Sequence, residues 1–284
     1  MSSSGAPEPT RVAACVKVVD LRPEIDRLSG VVSTSDRTAG ISAADSAAVE
    51  VGLRLAAAWG VTLSVVCAGG PAADPVLREL LAVGASSAIR VDLDPDAPSE
   101  VVAAAVSAAL DGVDLVVCGE YSADRGSGSV PAFLAHHLAA AQALGLVAVD
   151  PAESGRVLVT RRLGGGRSER LELSGRAVLS VEGSVARLRR APLSALLASA
   201  DAPVEVFAPL GDESMLTVVE VAGCHPLRPR PRVLPVPTGQ AALGRIVELT
   251  GALVDRTPPR RVFATPAEAA DLILAQLRVW DELD

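Results

Sequence analysis

The sequence has no long apolar run, no surplus of basic residues and no paired-cysteine motif, and each absence excludes a class of function. The longest apolar stretch, 138–149, contains Gln142 and is shorter than the roughly 20 apolar residues that a membrane-spanning helix needs. The net charge of -8 argues against sequence-independent nucleic-acid binding, which requires a basic surface. Residues 1–10 carry no signal-peptide pattern and are predicted to be a disordered tail. We therefore expect a cytoplasmic protein that does not insert into a membrane.

Catalytic patterns are also missing. The chain has neither a G-x-S-x-G motif nor a histidine or cysteine spacing typical of metal sites. His136 and His137 lie within a predicted helix, and Glu50 is interpreted as a solvated or end-capping carboxylate. The cysteines form no C-x-x-C pair and are predicted to be reduced, buried thiols: Cys15, Cys67, Cys118 and Cys224. The pattern indicates a binding protein without a catalytic or metal site.

Three apolar runs, each ending in a cysteine, are the clearest positive signal. They cover residues 12–15, 62–67 and 114–118. Such runs are typical of buried parallel strands, and ligands of open α/β sheets bind just beyond the carboxyl ends of the strands. The sequence therefore predicts several strand ends that meet at one crevice.

Strand and helix patterns alternate through the first half of the chain. Strands are predicted over 11–17, 61–67, 88–91 and 114–118, and helices over 43–59, 73–83, 98–110 and 128–142. This order predicts an α/β fold with a doubly wound, mainly parallel sheet. A run of three glycines, 164–166, separates the segments 156–163 and 168–173 and predicts an added antiparallel hairpin.

After a last predicted strand at 176–181, the pattern becomes irregular, and residues 182–202 are predicted to lack regular structure. An extended arm is predicted from residue 224 onward by five closely spaced prolines: Pro226, Pro229, Pro231, Pro235 and Pro237. Helices are predicted over 240–253 and 266–282. We divide the chain into an α/β nucleotide-binding domain over 11–208 and an extended C-terminal arm with helices over 209–284.

A glycine- and serine-rich segment, 119–130, follows directly on the third apolar run. Small residues allow backbone N–H groups to converge, and the following helix adds its positive end, so that both features favour a phosphate group. Ser127 and Ser129 offer hydroxyl donors, and Asp124 is suited to hold the loop or to accept from a ribose hydroxyl. The segment matches neither G-x-x-x-x-G-K-[ST] nor G-x-G-x-x-G, so a flexible connection is the alternative interpretation.

Four motifs, in order, resemble the beta subunit of electron transfer flavoproteins. The chain has Cys15-Val16-Lys17 where that family has Cys-Val-Lys, and residues 81–86 are similar to its Leu-Ala-Met-Gly-Ala-Asp. Residues 42–50 resemble the family's helix start, Asn-Pro-Phe-Asp-Glu-Tyr-Ala-Val-Glu. Residues 118–132 align without gaps with Cys-Gly-Lys-Gln-Ala-Ile-Asp-Gly-Asp-Thr-Gly-Gln-Val-Gly-Pro. The resemblance covers about residues 11–208.

The resemblance implies an adenine-nucleotide-hydrolase-like fold and a role in electron transfer. In that family the beta subunit binds AMP as a structural group and pairs with an alpha subunit that holds most of the redox-active FAD. Segment 182–200 is then implied to dock a dehydrogenase through Leu193, and the C-terminal arm to pack on the alpha subunit. The implied nucleotide-binding residues are Cys15, Ser42, Ala43, Ala44, Asp45, Cys67, Gly119, Asp124, Ser127, Gly128, Ser129 and Val130.

The chain departs from the family pattern within the expected site. Ser42-Ala43-Ala44 replaces Asn-Pro-Phe, which alters the adenine pocket wall, and Glu120-Tyr121 replaces Lys-Gln, which puts a negative charge near the expected phosphate. The longer C-terminal part indicates a divergent branch, and a mycofactocin-associated actinobacterial one is a hypothesis. Two alternatives stay open: a bifurcating-type subunit with a second FAD in the crevice, and a stand-alone adenine-nucleotide-binding regulatory protein.

Overall fold

The structure is a computed structural model that describes residues 11–209, 236–250 and 261–280. The chain divides into two units, Met1–Pro226 and Leu227–Asp284. The predicted tail at 1–10, Cys224, His225 and all but the last of the five prolines lie outside the described residues.

The elements of the first unit alternate between strands and helices. Its strands are β1 (Val12–Val16), β2 (Val18–Asp20), β3 (Glu24–Ile25), β4 (Val32–Ser33), β5 (Ala39–Ile41), β6 (Leu63–Ala68), β7 (Ser87–Val91), β8 (Leu115–Gly119), β9 (Ala141–Pro151), β10 (Val157–Arg162), β11 (Ser168–Leu173), β12 (Ala177–Val181) and β13 (Glu205–Phe207). Its helices are α1 (Ala43–Trp59), α2 (Asp74–Val83), α3 (Ser99–Ala109), α4 (Val130–His137) and α5 (Leu193–Ser199). The second unit contains α6 (Ala242–Thr250) and α7 (Pro266–Val279).

Nine strands form one sheet in the order β11-β10-β9-β12-β8-β1-β6-β7-β13. In this spatial order, every neighbouring pair from β9 through β12, β8, β1, β6 and β7 to β13 is parallel. The pairs β9–β10 and β10–β11 are antiparallel. The predicted α/β class, with a mainly parallel sheet and an added antiparallel hairpin, is confirmed. The chain runs from β1 to β6 and β7 on one side and then returns to β8 on the other. The strand order thus reverses between β1 and β8, which is where open α/β sheets bind ligands.

Local sequence determines where helix α1 begins and ends. The Ser42 hydroxyl accepts a hydrogen bond from the Asp45 amide and caps the first turn, and Gly60, with φ 69°, ends the helix in the left-handed conformation. Between these residues most of the helix is buried, including Val49, Leu53 and Leu55. The observed bounds, Ala43–Trp59, are those predicted.

The core lies on both faces of the sheet because successive strand residues point to opposite sides. Ala14, Val65 and Val117 pack on the face covered by α1 and α2. Ala13, Val66 and Val116 pack on the face covered by α3 and α4. The sheet is therefore covered by helices on both faces, as a doubly wound fold requires.

The prediction of a helix over 128–142 was wrong in its second half. Helix α4 ends at His137, where Ala139 adopts a positive φ of 48°, and residues 141–151 form strand β9. Alanine-rich sequence has high helix propensity, which made the segment read as helix. Pairing with β12 on one side and β10 on the other stabilises the strand instead.

The prediction that 182–202 lacks regular structure was also incomplete. Residues Leu193–Ser199 form the short helix α5, which packs on α2, and the edge strand β13 follows it without having been predicted. Both elements are stabilised by contacts with distant residues, since β13 pairs with β7. Seven- and three-residue elements carry too little periodicity to be read from sequence.

Helices α6 and α7 lie within the predicted ranges 240–253 and 266–282, of which residues 251–253, 281 and 282 are outside the described residues. Thr265 and Glu268 form a reciprocal cap at the start of α7. Neither helix buries a residue. Within the described part of the chain, no helix combines the length and apolar character needed to cross a bilayer.

Candidate functional site

A crevice opens at the carboxyl ends of the central strands, at the reversal of strand order. It is lined by the end of β1, the first turn of α1, Ala68 at the end of β6, the segment 94–102 and the loop 118–131. Its void measures about 780 Å³ including the open mouth.

The loop between β8 and α4 forms one wall of the crevice. Gly126 and Gly128 adopt positive φ values of 64° and 61°, and the Gly126 amide donates to the carbonyl of Ser122. A Cβ atom on Gly128 would lie 2.5 Å from the carbonyl oxygen of Glu120, so this residue must be glycine for two reasons. The loop thereby folds tightly against its own beginning.

Four successive residues line the crevice where this loop enters α4. Among the described residues, none accepts a hydrogen bond from the amides of Ser127, Gly128, Ser129 or Val130. The first amides of a helix have no intrahelical partner, and the helix dipole gives this end a partial positive charge. The four amides therefore form a donor set suited to an anion.

The start of α1 packs tightly against the end of β8. A Cβ atom on Gly119 would lie 2.7 Å from a carboxylate oxygen of Asp45, so glycine permits the close approach of helix and strand. Asp45 is buried and accepts hydrogen bonds from the Ser42 hydroxyl and from the amides of Lys17 and Gly119. Burial raises the pKa of Asp45 to about 6, although these hydrogen bonds oppose the rise. The carboxyl group thus changes charge near neutral pH at the floor of the crevice.

Two cations face the crevice, and they are held differently. Lys17 Nζ donates to the Asp124 carboxylate, and the two side chains are 30% and 38% exposed. Arg125 donates to the Ala97 carbonyl at 3.0 Å and to the carbonyl and carboxylate oxygens of Asp96 at 2.7 and 2.8 Å. Arg125 thus ties the loop to the opposite wall of the crevice.

The described cysteines are free thiols buried in the sheet. Cys15 and Cys118 are paired across adjacent parallel strands, and their mutual hydrogen bond together with burial raises the pKa of Cys15 well above its usual value. Burial raises the pKa of Cys67 to about 12. The thiols of Cys15 and Cys67 are therefore protonated at neutral pH, and the described cysteines are reduced and buried as predicted.

The structure brings some of the expected nucleotide-binding residues together and leaves others outside the crevice. Those that line it are Cys15, Asp45, Gly119, Ser127, Gly128, Ser129 and Val130. Those that do not line it are Ser42, Ala43, Ala44, Cys67 and Asp124. Of the second group, Ser42 caps α1, Cys67 is fully buried and Asp124 accepts a hydrogen bond from the crevice residue Lys17. Leu193 is 71% exposed at the start of α5.

Sequence reasoning missed Lys17 and Arg125 as crevice residues and misplaced two carboxylates. Lys17 belongs to the Cys-Val-Lys motif, so that motif was the available signal. Glu120 does not line the crevice; burial and the nearby Glu182 raise its pKa. Glu50 is neither solvated nor a cap, because it is buried and paired with Arg54 and Arg189.

Comparison with known proteins agrees with this fold. A family model described as electron transfer flavoprotein domain matches residues 29–210. The electron transfer flavoprotein subunit beta of Syntrophomonas wolfei subsp. wolfei is 30% identical over 215 residues, which cover 74% of this chain and 84% of that protein. The chain belongs to the electron transfer flavoprotein beta family. The family model covers the 119–130 loop and α5 and ends before α6 and α7.

The crevice residues of this electron transfer flavoprotein family member fit the phosphate of a nucleotide. Four amides without a partner in the described chain point to an anion, and Lys17 supplies a nearby cation. Apolar residues such as Ala68, Ala97 and Val102 line the crevice toward α3 and would fit a base and sugar. The residues present thus fit the nucleotide that the family implies.

Proposed function

We propose that this chain is the beta subunit of a heterodimeric electron transfer flavoprotein and that its crevice binds AMP as a structural group. The observation that carries the proposal is the run of four amides at Ser127–Val130 that have no acceptor among the described residues, at the reversal of strand order and in the same crevice as Lys17. In this proposal the chain makes and breaks no covalent bond. Its residues bind the nucleotide and shape a surface for partners.

The phosphate is held by the loop. The amides of Ser127, Gly128, Ser129 and Val130 donate to its oxygens, and the hydroxyls of Ser127 and Ser129 extend the donor set, because they lie at the same turn. The positive end of α4 adds a favourable charge interaction. No rearrangement of the backbone is needed, since the two glycines already hold the loop in its tight turn.

The nucleoside part occupies the apolar side of the crevice. Cys15 and Cys118 line this side of the crevice, the Cys15 thiol with a raised pKa, and Val16, Ala68 and Val102 provide apolar contacts. Ser42, Ala43 and Ala44 act indirectly, because they position the first turn of α1 and its Asp45 against β8. Bound AMP thus bridges the β1 end, the α1 turn and the 119–130 loop.

The partner that supplies redox chemistry is an alpha subunit, and FAD bound mainly by that subunit accepts and donates the electrons. Helices α6 and α7 support this pairing because their apolar side chains are exposed, among them Leu243, Ile246, Ile273 and Trp280. Exposed large apolar side chains on a helix are typical of surfaces that another protein covers. The C-terminal part is thus proposed to pack on the alpha subunit.

Docking of a dehydrogenase is assigned to the segment 182–200. Helix α5 exposes Leu193 and Leu197, each 71% exposed, one turn apart on the same helix face. Two exposed leucines on a short, well-anchored helix form a compact apolar anchor for a partner. Electrons then pass from the docked dehydrogenase to an acceptor through FAD.

Co-expression with an alpha subunit tests the proposal. The account predicts a stable heterodimer with flavin absorbance and one FAD per heterodimer, together with one AMP. Two FAD and no AMP would support the bifurcating-type alternative. A colourless chain that stays a homodimer and binds ATP would support the stand-alone regulatory alternative and overturn the proposal.

A further inference from the structure

We propose that Asp124 is a displaceable counter-ion of Lys17, so that the nucleotide phosphate takes the lysine away from it. The inference rests on the proposed function and concerns which residues set the affinity of that site. It differs from the role that the family resemblance implies for Asp124, namely direct contact with the nucleotide.

Lys17 and Asp124 differ in their position relative to the crevice. Lys17 follows the last residue of β1 and lines the crevice, whereas Asp124 lies in the middle of the loop and does not line it. Asp124 accepts hydrogen bonds from three residues that do line the crevice, namely Lys17, Ser122 and Arg125. The Asp124 carboxylate therefore orients the ammonium group of Lys17 from outside the crevice lining.

The two cations of the crevice, Lys17 and Arg125, differ in the number of their hydrogen-bond acceptors. Arg125 is engaged by three oxygen atoms of Asp96 and Ala97, so its guanidinium is committed to the opposite wall. Lys17 Nζ donates to Asp124 alone among the described residues, and an ammonium group has three hydrogens. Lys17 is therefore the cation with donors left for an anion.

The ion pair between Lys17 and Asp124 is weak. Both side chains are about one-third exposed, and ion pairs of this exposure contribute little because solvent screens them. A phosphate dianion held by four amides offers the ammonium group more charge at short distance than one carboxylate does. Hydrogen bonds from Lys17, Ser122 and the Arg125 amide outweigh burial and lower the pKa of Asp124, so its negative charge persists at neutral pH and competes with the phosphate.

The sign of the effect of Asp124→Asn tests the proposal. Binding of AMP and of adenosine to the full chain, freed of nucleotide by dialysis at high salt, is measured by calorimetry for four variants. They are Asp124→Asn, Lys17→Gln, the double variant and Asp111→Asn, which removes a charge from the loop preceding β8, at the opposite end of the strands. Circular dichroism checks that each variant is folded.

The expected results follow from the competition. Asp124→Asn raises the affinity for AMP roughly two- to fivefold, because the weak pair no longer has to be broken. Lys17→Gln lowers it about tenfold, as loss of a hydrogen bond to a charged group does. The double variant matches Lys17→Gln, adenosine binding is unchanged throughout, and Asp111→Asn behaves as wild type.

Two outcomes overturn the inference while leaving a nucleotide site in place. Lower affinity of Asp124→Asn for both AMP and adenosine would mean that the carboxylate contacts the ribose. A gain of affinity that persists in the Lys17→Gln background would mean that Asp124 acts through general charge and not through Lys17. Failure of the wild-type chain to bind any adenine nucleotide overturns the proposed function itself and this inference with it.

Discussion

Glu50 on α1 holds Arg189, a residue 139 positions later in the chain, through both carboxylate oxygens. The Arg189 side chain donates at 2.9 and 3.1 Å, and the Arg189 backbone amide donates at 3.2 Å. Arg54 donates to the same carboxylate from the next turn of α1 at 3.0 Å. The buried charge is thus fully paired, and the segment that leads into α5 is fastened to the helix whose first turn borders the crevice.

Replacement of Glu50 by glutamine is expected to lower the free energy of unfolding by about 1–3 kcal/mol. Loss of one partner of a buried ion pair costs about 3–5 kcal/mol, but the Arg189 side chain is 46% exposed, which reduces the penalty. Urea unfolding measures the change. Arg54→Ala is the matched control. Because Arg54 is 55% exposed, its replacement is expected to lower the free energy of unfolding by at most about 0.5 kcal/mol.

The same pair predicts a pH dependence. Burial raises the pKa of Glu50, but the hydrogen bonds from Arg189 and Arg54 outweigh it and lower the pKa below the ordinary value. A lowered folded-state pKa stabilises the fold fully above the unfolded-state value, and the stabilisation is lost as pH falls through the folded-state value. An acid unfolding midpoint that Glu50→Gln does not alter would contradict this.

Asp45 is expected to produce the opposite dependence. Because burial raises its pKa from 3.8 to about 6, the folded state binds more protons than the unfolded state between these two values. Its contribution to stability therefore falls as pH rises from 3.8 to about 6. Asp45→Asn should remove this decline, which unfolding at a series of pH values would reveal; parallel curves for the variant and the wild type would count against the assignment.

Gly128→Ala is expected to distort the 119–130 loop more than Gly126→Ala does. Both residues have a positive φ, which costs an alanine about 1–2 kcal/mol. A Cβ on Gly128 would also lie 2.5 Å from the Glu120 carbonyl, whereas one on Gly126 would meet its nearest atom at 3.9 Å. Retained AMP and thermal stability should fall in the first variant and change less in the second. Equal effects would mean that the close approach at Gly128 is unimportant.

Leu193→Ala is expected to weaken docking without weakening the fold. The side chain is 71% exposed, so the free energy of unfolding should change by no more than about 0.5 kcal/mol. The rate at which a partner dehydrogenase reduces the flavin of the heterodimer should fall at subsaturating concentration. Leu163→Ala removes a leucine from a different surface, the β10–β11 hairpin, and serves as the control. An unchanged rate would remove α5 from the docking surface.

Much of the fold could be predicted because its signals are local. Helix α1 has a serine cap, a glycine end and apolar residues at helical spacing, and its observed bounds are the predicted ones. The central strands are short apolar runs between turn residues. Strand β9 could not be predicted in this way, because its alanine-rich sequence suits a helix and only pairing with β12 and β10 makes it a strand.

The candidate site likewise contains residues that a local sequence pattern predicts and residues that no local pattern predicts. Ser127, Gly128 and Ser129 could be identified as crevice residues because the loop and the helix α4 are adjacent in sequence. Lys17 reaches Asp124 across 107 residues, and Glu50 reaches Arg189 across 139. Such pairs depend on strand order and on how a later segment crosses a helix, and no local pattern contains that information.

The identity of the nucleotide released when the purified chain is denatured tests the central claim most directly. The account predicts AMP at one molecule per chain, in the wild type and in Leu193→Ala alike, and less in Gly128→Ala. A chain that is folded by circular dichroism and releases no adenine nucleotide would contradict it.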